Sequence, residues 1–382
     1  MIREAASTPT PAWAEWAQAQ SYTVGIEEEV MLIDPSDWSL AQRSEHVLPE
    51  LSPALQARLV GETHAAVVEL SCFPHGSIAE VGRELAASRV ALEGELAAQG
   101  LRAASGGTHP CANWTETRIS AGERYRAVHE SMRELARREP TCALHVHVGV
   151  ADPDRAIALQ NRLRVHIPLL LALSANSPYW QGRDSGLASV RTPIFQAFPR
   201  VGIPRPFGSY AAYVETVDEL LRCDAIPEPT FLWWDVRCQP RFGTVELRVM
   251  DAQTTATDTA AIAALVQTIA HLELEAGYAD DHLIQATEIL DENRFLAARD
   301  GMQARLIDPA AERRVPAMEL LERLLAAGRE HAEELGCEPM LELVRALARA
   351  PGAARQRSLA EADGIARVIP GLADRYPEPF DL

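Results

Sequence analysis

The sequence predicts an α+β protein, a sheet with helices packed against it. Three observations carry that reading. Strand-like runs rich in Val, Ile and Thr recur up to residue 251, the last two forming a hairpin. From Asp258 onward the chain is mostly Ala/Leu/Glu helix. Four of the strand-like runs carry ionisable groups at alternate positions, so each would present them from one face.

Residues 1–20 are rich in Ala, Thr and Pro and read as a flexible lead-in to a single domain over 21–382. They show no long apolar core and no small-residue cleavage signal, so no secretion leader is expected. "YTVGIEEEVMLI" reads as a strand, and "HAAVVELSCFP" as a second, ended by Pro74. "SIAEVGRELAASRVALEGELAAQG" has helical periodicity, with Ser77 and Glu80 spaced as a capping box and Gly100 as the stop. "LRAASGGTHP" reads as a short strand and a Gly-rich turn, and "TCALHVHVGV" as an alternating strand. A helix follows, opened by Asp152 with Pro153 at its first position. Residues 177–210 are dense in Pro and Gly and read as a long irregular segment, which at that length is usually functional. "FLWWDVRCQPRFGTVELRVMDAQ" reads as the hairpin, and the helical C-terminal third is expected to pack on the sheet.

Composition narrows the function. With 47% hydrophobic residues the chain can bury a large core, and its net charge is −18. Such an acidic balance argues against nucleic acid and against anionic membranes. No stretch is long and apolar enough for a transmembrane helix. All 36 basic residues are arginine. That excludes a P-loop lysine, a Schiff-base lysine and a carbamylated metal-bridging lysine. The six cysteines are scattered without a C-x-x-C pair, which fits reduced thiols and a cytoplasmic location.

The chemistry starts at "GIEEEVMLI". Strand alternation puts Glu27 and Glu29 on one face, about 7 Å apart by strand rise, with Glu28 on the other. Glu28 could be solvated or salt-bridged. "VVEL" sets Glu69 inside the next apolar strand, with Glu62 seven residues earlier. "LHVHVG" puts His145 and His147 on one face, and "GTVELRVMD" does the same for Glu246 and Arg248, with Asp251 just beyond. Each motif alone fits a solvated or hydrogen-bonded residue. Together they fit a sheet whose concave face is a metal-rich site. A carboxylate-dominated set suits Mg²⁺ or Mn²⁺. The H-x-H strand also fits zinc hydrolases of the amidohydrolase type, but those add further His and often a bridging Lys. Mg²⁺ on carboxylates most often serves nucleotide phosphates. Arg191, Arg248 and the pair flanking the hairpin turn, Arg237 and Arg241, could grip phosphate or carboxylate.

The motifs "GIEEE", "VEL", "GGTHP", "ERY", "HVHVG", "LSANSPYWQGRDSG", "WWDVR" and "FGTVELRVMD", in this order, resemble the carboxylate–amine ligases of the glutamate–cysteine ligase type 2 family, in its YbdK-type branch. The resemblance runs from about Tyr22 to at least Glu275, and more loosely beyond. It implies a glutamine-synthetase-like fold: a curved, mainly antiparallel sheet forming a funnel, with helices outside. It also implies a two-step reaction with ATP and two or more Mg²⁺ or Mn²⁺ ions. A carboxylate, typically the γ-carboxylate of L-glutamate, becomes an acyl phosphate, and an amine, typically that of cysteine, then displaces phosphate.

By the same resemblance Glu27, Glu29, Glu69 and Glu246 match metal ligands, and Glu62 stands where relatives often carry Asp. His145 is assigned to metal or nucleotide phosphate, and His147 to substrate or to support of the ligands. Arg248 matches a phosphate-binding arginine and, with Glu69, is expected to act in catalysis. Arg237 and Arg241 are nucleotide-binding candidates. Arg191 matches an arginine for the substrate carboxylate, and Thr108, Asn176 and Tyr179 are pocket candidates. The expected partners are small molecules, with a homodimer left open. Two other functions stay in view: a guanidino-type phosphotransferase, which would want a reactive Cys in the cleft, and a non-catalytic nucleotide- or metal-binding protein. Thr108-His109-Pro110 fits a plain turn equally well, Trp233 and Trp234 fit core or cleft wall, and Cys72 and Cys142 fit buried thiols.

Overall fold

A computed structural model describes residues 10–138 and 140–380. Its centre is a sheet of seven strands: β1 (Val24–Ile33), β2 (Leu59–Gly61), β3 (Val67–His75), β4 (Arg102–Ala104), β5 (Ala143–Gly149), β6 (Val236–Gln239) and β7 (Thr244–Asp251). The order is β6-β7-β5-β1-β3-β2, with β4 also paired to β1, and every pairing is antiparallel. β1 is central because it fills both its edges. β3 runs along one, while β5 takes Val24–Glu28 and β4 takes Met31–Ile33 on the other.

The strand sequences divide the sheet into two faces. Val24, Ile26, Val30 and Leu32 of β1 join one large buried core with Leu70, Leu144, Val146 and Val148. Helices cover that face. The Ala256–Glu275 helix is buried nearly all round and lies among four others: Ile78–Ala98, Pro153–Ser174, Ala317–Glu334 and Met340–Arg349. Each fully buried Leu, Ile or Val there contributes about 1.5–3 kcal/mol. No helix among the described residues is long and apolar enough to cross a membrane.

Glu28 is the exception on the apolar face. It is wholly buried and meets Arg89 of the Ile78–Ala98 helix at 2.6 Å. Arg89 also donates to the carbonyls of Thr254 and Gln253 and lies over the Tyr376 ring at 4.7 Å. Of the two options open to Glu28, solvation or a salt bridge, the fold takes the second.

Several local expectations hold. Asp152 accepts the Arg155 N–H and Pro153 starts the Pro153–Ser174 helix. Gly100, at φ +73°, ends the Ile78–Ala98 helix, and Leu101 N–H returns to the Leu96 carbonyl. Others need correction. Ser77 stands at the start of that helix, but its hydroxyl makes no capping bond, so the capping box does not form. Glu80 lies instead 3.7 Å from His75. Residues 177–210 are not wholly irregular: they hold a Tyr179–Trp180/Arg183–Asp184 hairpin and an Arg191–Gln196 helix. The helical C-terminal third contains a hairpin, Arg305–Asp308 with Arg313–Pro316.

The lead-in is also packed from residue 10 on, its first nine residues lying outside the described ones. Trp16 donates to the Val150 carbonyl at 2.8 Å, Ala17 N–H donates to Pro240, and Trp13 and Trp16 pack edge-on against Tyr213 and Tyr210. Gly243, at φ +65° in the β6–β7 turn, makes this possible: a Cβ there would sit 2.2 Å from the Ala17 carbonyl oxygen.

Candidate active site

The site grows from strand register. Glu29 of β1 stands opposite Glu69 of β3, and Glu27 opposite both Ser71 and His145. His147 stands opposite Glu246 of β7, and Glu246 opposite Arg237 of β6. Directly opposed residues share a face, so these side chains collect on the face away from the helices. His145 Nδ1 lies 3.3 Å from Glu27, 3.9 Å from Glu69 and 3.9 Å from Glu246. His147 Nε2 lies 3.5 Å from Glu27 and 4.0 Å from Glu246. Thr244 Oγ1 sits 3.0 Å from His147 Nδ1, and the Ala143 N–H donates to Glu29 at 2.6 Å.

The carboxylates divide into two electrostatic classes. Burial pushes Glu29 up to about 8, with the Glu62 charge adding to it. Burial and the charges of Glu27, Glu62 and Glu29 hold Glu69 well above the usual carboxylate range. Glu62 is also raised, mainly by burial. Glu27 and Glu246 go the other way. Burial opposes their ionisation, but His147 and His145 outweigh it at Glu27, and Arg237 and Arg248 outweigh it at Glu246. Burial and Arg248 lower His145 to about 4.

These residues fit divalent cations. Glu27, His145 and Glu246 bring ligand atoms within 4.8 Å of one another, and so do Glu29, Glu69 and His145. The two sets share His145, so the carboxylates Glu27 and Glu246 on one side and Glu29 and Glu69 on the other flank one imidazole. The Nε2 atoms of His145 and His147 are buried without a hydrogen-bond partner. Crowded carboxylates whose pKa values stay raised despite Arg248 leave negative charge uncompensated, which a hard cation would offset.

The model of glutamate–cysteine ligase family 2 matches residues 23–371. The chain belongs to this family. It is 39% identical over 344 residues to "Putative glutamate--cysteine ligase 2-1" of Rubrobacter xylanophilus, covering 90% of this chain and 91% of that one. It is 38% identical over 332 residues to "Putative glutamate--cysteine ligase 2" of Sorangium cellulosum, covering 85% and 87%. Among solved structures, the glutamate–cysteine ligase of Francisella tularensis in complex with AMP superposes with a TM-score of 0.69 at 13% identity, over 95% of this chain and 89% of that one. A bifunctional glutathione synthetase from Pasteurella multocida gives 0.69 at 13% identity, over 93% of this chain and 52% of that one. At such identity these two likenesses speak for the fold, which is the expected glutamine-synthetase-like α+β architecture. As a member of glutamate–cysteine ligase family 2 the protein is an ATP-dependent carboxylate–amine ligase acting on small molecules, in a family that uses a divalent metal.

Not every expected residue of this ligase lies in the cluster. Arg248 does, donating to Glu246 through Nη1. Arg237 stands behind it. Its Nε donates to Glu246 at 2.7 Å and its Nη1 to the carbonyls of Thr230 and Leu232, so its guanidinium is bonded to Glu246 and to backbone. Arg241 is exposed on the hairpin turn, 5.6 Å from the Phe242 ring. Arg191 is buried and donates to the carbonyls of Val249 and Arg248, with Asp251 at 3.8 Å. Glu62 adjoins the cluster electrostatically but belongs to neither ligand set.

Thr108 donates to the Tyr179 carbonyl, and Tyr179 packs with Met31, Ile33 and Val67. Asn176 is wholly buried, its amide donating to Ala252 and Thr254 and accepting from Gln356. Asp251 gathers Asn176 N–H, Ser177 and Ser189, pinning the 177–189 segment to the end of β7. A Cβ on Gly107 would come within 2.6 Å of Asp251, so the Gly-rich turn closes over this knot. His109 makes the turn structural: its Nδ1 accepts from Cys111 and Ala112, and Nε2 donates to the Trp38 carbonyl.

Gln239, which donates to Glu246 at 2.7 Å, escaped the sequence reading. The signal was present, since Gln239 follows Arg237 by two positions on β6 and shares its face. Arg124 and Tyr125 of the "ERY" motif approach from the Glu123–Met132 helix. Tyr125 bonds the Gly61 carbonyl, and Arg124 bridges to Glu228 and Thr230.

Proposed function

We propose that the protein activates a substrate carboxylate, the γ-carboxylate of L-glutamate, as an acyl phosphate and joins it to an amine such as that of L-cysteine, releasing ADP and phosphate. The observation that carries this reading is the gathering of Glu27, Glu29, Glu69, Glu246, His145 and His147 on one face of four adjacent strands. Two or more Mg²⁺ ions, or Mn²⁺, held by Glu27, Glu29, Glu69, His145 and Glu246, would offset the charge repulsion between ATP and the attacking carboxylate.

The protein's own groups have the remaining tasks. Arg248 carries a cation into the middle of the cluster and stabilises the transferring phosphoryl group as its charge spreads. Arg237 and Gln239 hold Glu246 in orientation, and Thr244 fixes the His147 ring through Nδ1. Arg191, next to Arg248 and Asp251, is suited to the substrate carboxylate. Glu62 completes the acidic wall. Arg241 is suited to the outer part of the nucleotide. Thr108, Asn176 and Tyr179 shape the pocket wall through the bonds that fix their backbone. A guanidino phosphotransferase is disfavoured, because burial pushes Cys72 up to about 12 and Cys142 well above the thiol range, so neither supplies a thiolate.

The test is direct. Incubated with ATP, Mg²⁺ and glutamate, the protein should release phosphate and form an amide with one amine of a screened set. If no amine yields ADP while Zn²⁺ supports amide hydrolysis, the ligase chemistry is wrong. Glu27→Gln and Glu69→Gln should each abolish ATP turnover in a folded protein. Full activity in either removes the metal assignment.

A further inference from the structure

The register that gathers the cluster also gives its face two ends. Asp251 stands opposite Ala143 at one end of the β5–β7 pair, and Thr244 opposite Gly149 at the other. The two candidate ligand sets, joined at His145, lie between them. Arg191, 3.8 Å from Asp251, marks the first end. At the second, the chain before β1 crosses the sheet: a Cβ on Gly149 would sit 2.3 Å from the Gln20 carbonyl oxygen.

Between that crossing and the cluster the face is open. Gly25 shares the face of Glu27 by alternation and stands opposite His147. A Cβ there would meet only the His147 Cβ at 3.8 Å and the Cys72 carbonyl oxygen at 3.9 Å, so the floor beside the cluster is bare backbone with room above it. Across His147 from Gly25 stands Phe242. Its ring lies 5.9 Å from the His147 ring with the planes 78° apart, and the residue is 49% exposed. A lone exposed ring is ordinary on a protein surface. This one stands against a histidine of the cluster and is carried by a fixed turn. Pro240 starts the turn and Gly243 ends it. The Ala17 N–H donates to the Pro240 carbonyl and the Val150 N–H to the Gly243 carbonyl, both at 2.9 Å. The backbone is held on both sides while the ring stays free.

We infer that the Gly25–Phe242 end of the face is the nucleoside subsite, and that Phe242 is the ring on which the nucleobase stacks. The inference rests on the ATP-dependent reading of the cluster. With phosphates at the central ligand sets and the substrate carboxylate at Arg191, the nucleoside leaves the cluster by the opposite end. Gly25 gives it space there, and Phe242 gives it an apolar flat surface one ring beyond the ligand set. Arg241, its guanidinium 5.6 Å from the Phe242 ring, keeps a cation beside that surface. Stacking on an aromatic ring contributes enough per base to be measured by substitution.

Calorimetric titration of the full chain with ADP and with pyrophosphate, each at saturating Mg²⁺, tests it without depending on turnover. Phe242→Ala should weaken ADP about tenfold or more and leave pyrophosphate unchanged. Phe242→Tyr, which keeps the ring, should bind ADP as the wild type does. Gly25→Val, whose Cβ the fold accommodates but whose methyls fill the floor, should show the same selective loss of ADP. Undiminished ADP affinity in Phe242→Ala or Gly25→Val, equal losses for ADP and pyrophosphate, or a Phe242→Tyr variant as weak as Phe242→Ala would each overturn the inference while leaving the ligase reading intact. Wild-type protein that binds neither ligand would remove the nucleotide site itself, and this inference with it.

Discussion

Glu29 and Glu69 face each other in register across β1 and β3, two half-buried carboxylates with His145 within reach of both. Opposed like charges destabilise a sheet pair. At Glu29 burial comes first and the Glu62 charge second in holding the carboxyl protonated, against the pull of Arg191 and Arg248. Glu29 has an unfolded value of 4.5 and a folded value of about 8. A raised carboxyl contributes stability below the unfolded value and loses it as pH rises through the folded one. Without divalent cation, the melting temperature should fall between about pH 4.5 and 8. Glu29→Gln should flatten that slope, and saturating Mg²⁺ should flatten it in the wild type. A metal-free protein equally stable at both ends of the window would contradict the raised Glu29 carboxyl.

Three adjacent glutamates should give two opposite signatures. Glu28→Gln leaves the Arg89 guanidinium buried without its counter-charge, which costs about 3–5 kcal/mol. Because Glu28 faces the helices, Mn²⁺ affinity by titration should stay near wild type. Glu27→Gln should weaken Mn²⁺ binding, and should cost less stability than Glu28→Gln because its histidine partners can shed their protons. Denaturant unfolding and Mn²⁺ titration on the two variants read both outcomes. A large loss of Mn²⁺ affinity in Glu28→Gln would mean that the two faces are not independent.

Arg237 and Arg248 both bond Glu246, yet they should fail differently. Arg248→Met should lower the rate of ATP turnover by about 10²–10³-fold with modest loss of stability, since Arg237 and Gln239 still hold Glu246. Arg237→Met removes the buried partner of Glu246 and should cost about 3–5 kcal/mol in unfolding experiments. Steady-state kinetics beside unfolding curves would separate them, and identical profiles would refute the division of labour.

His109 should weaken the fold in mild acid. Burial lowers it from 6.5 to about 4, although its bond to the Trp38 carbonyl works the other way. A buried neutral histidine loses stability as pH falls, because the unfolded chain takes up the proton first. The loss should run from about pH 6.5 to 4 and total about 3 kcal/mol. His109→Asn should be less stable at neutral pH but show a flatter acid limb. An unchanged slope would mean that another group sets it.

Strand alternation made Glu27 and Glu29 readable as a facing pair, and the same rule applied to His145/His147 and Glu246/Arg248. Period two is a local property, so each face could be assigned without knowing its neighbours. Boundaries with a local cause were also legible: Asp152-Pro153 at one helix start, and Gly100 at one helix end. The Ser77 capping box had the right spacing and still did not form, because a cap needs a side-chain rotamer as well as a residue type. The bonds that Arg237, Asn176 and Thr108 make to backbone carbonyls were not legible, because folding brings those carbonyls near from distant segments.

The sequence by itself determined which residues share a face and which family of ligases the chain resembles. Only the tertiary structure decided what each charged group meets. Glu28 finds Arg89 on a helix behind the sheet, Glu29 finds Glu69 on the next strand, and Glu246 finds Arg237 across a hairpin. The reason is range. Alternation and helical period act over a few residues, whereas the partner of a buried charge is set by register and packing among segments far apart in the chain.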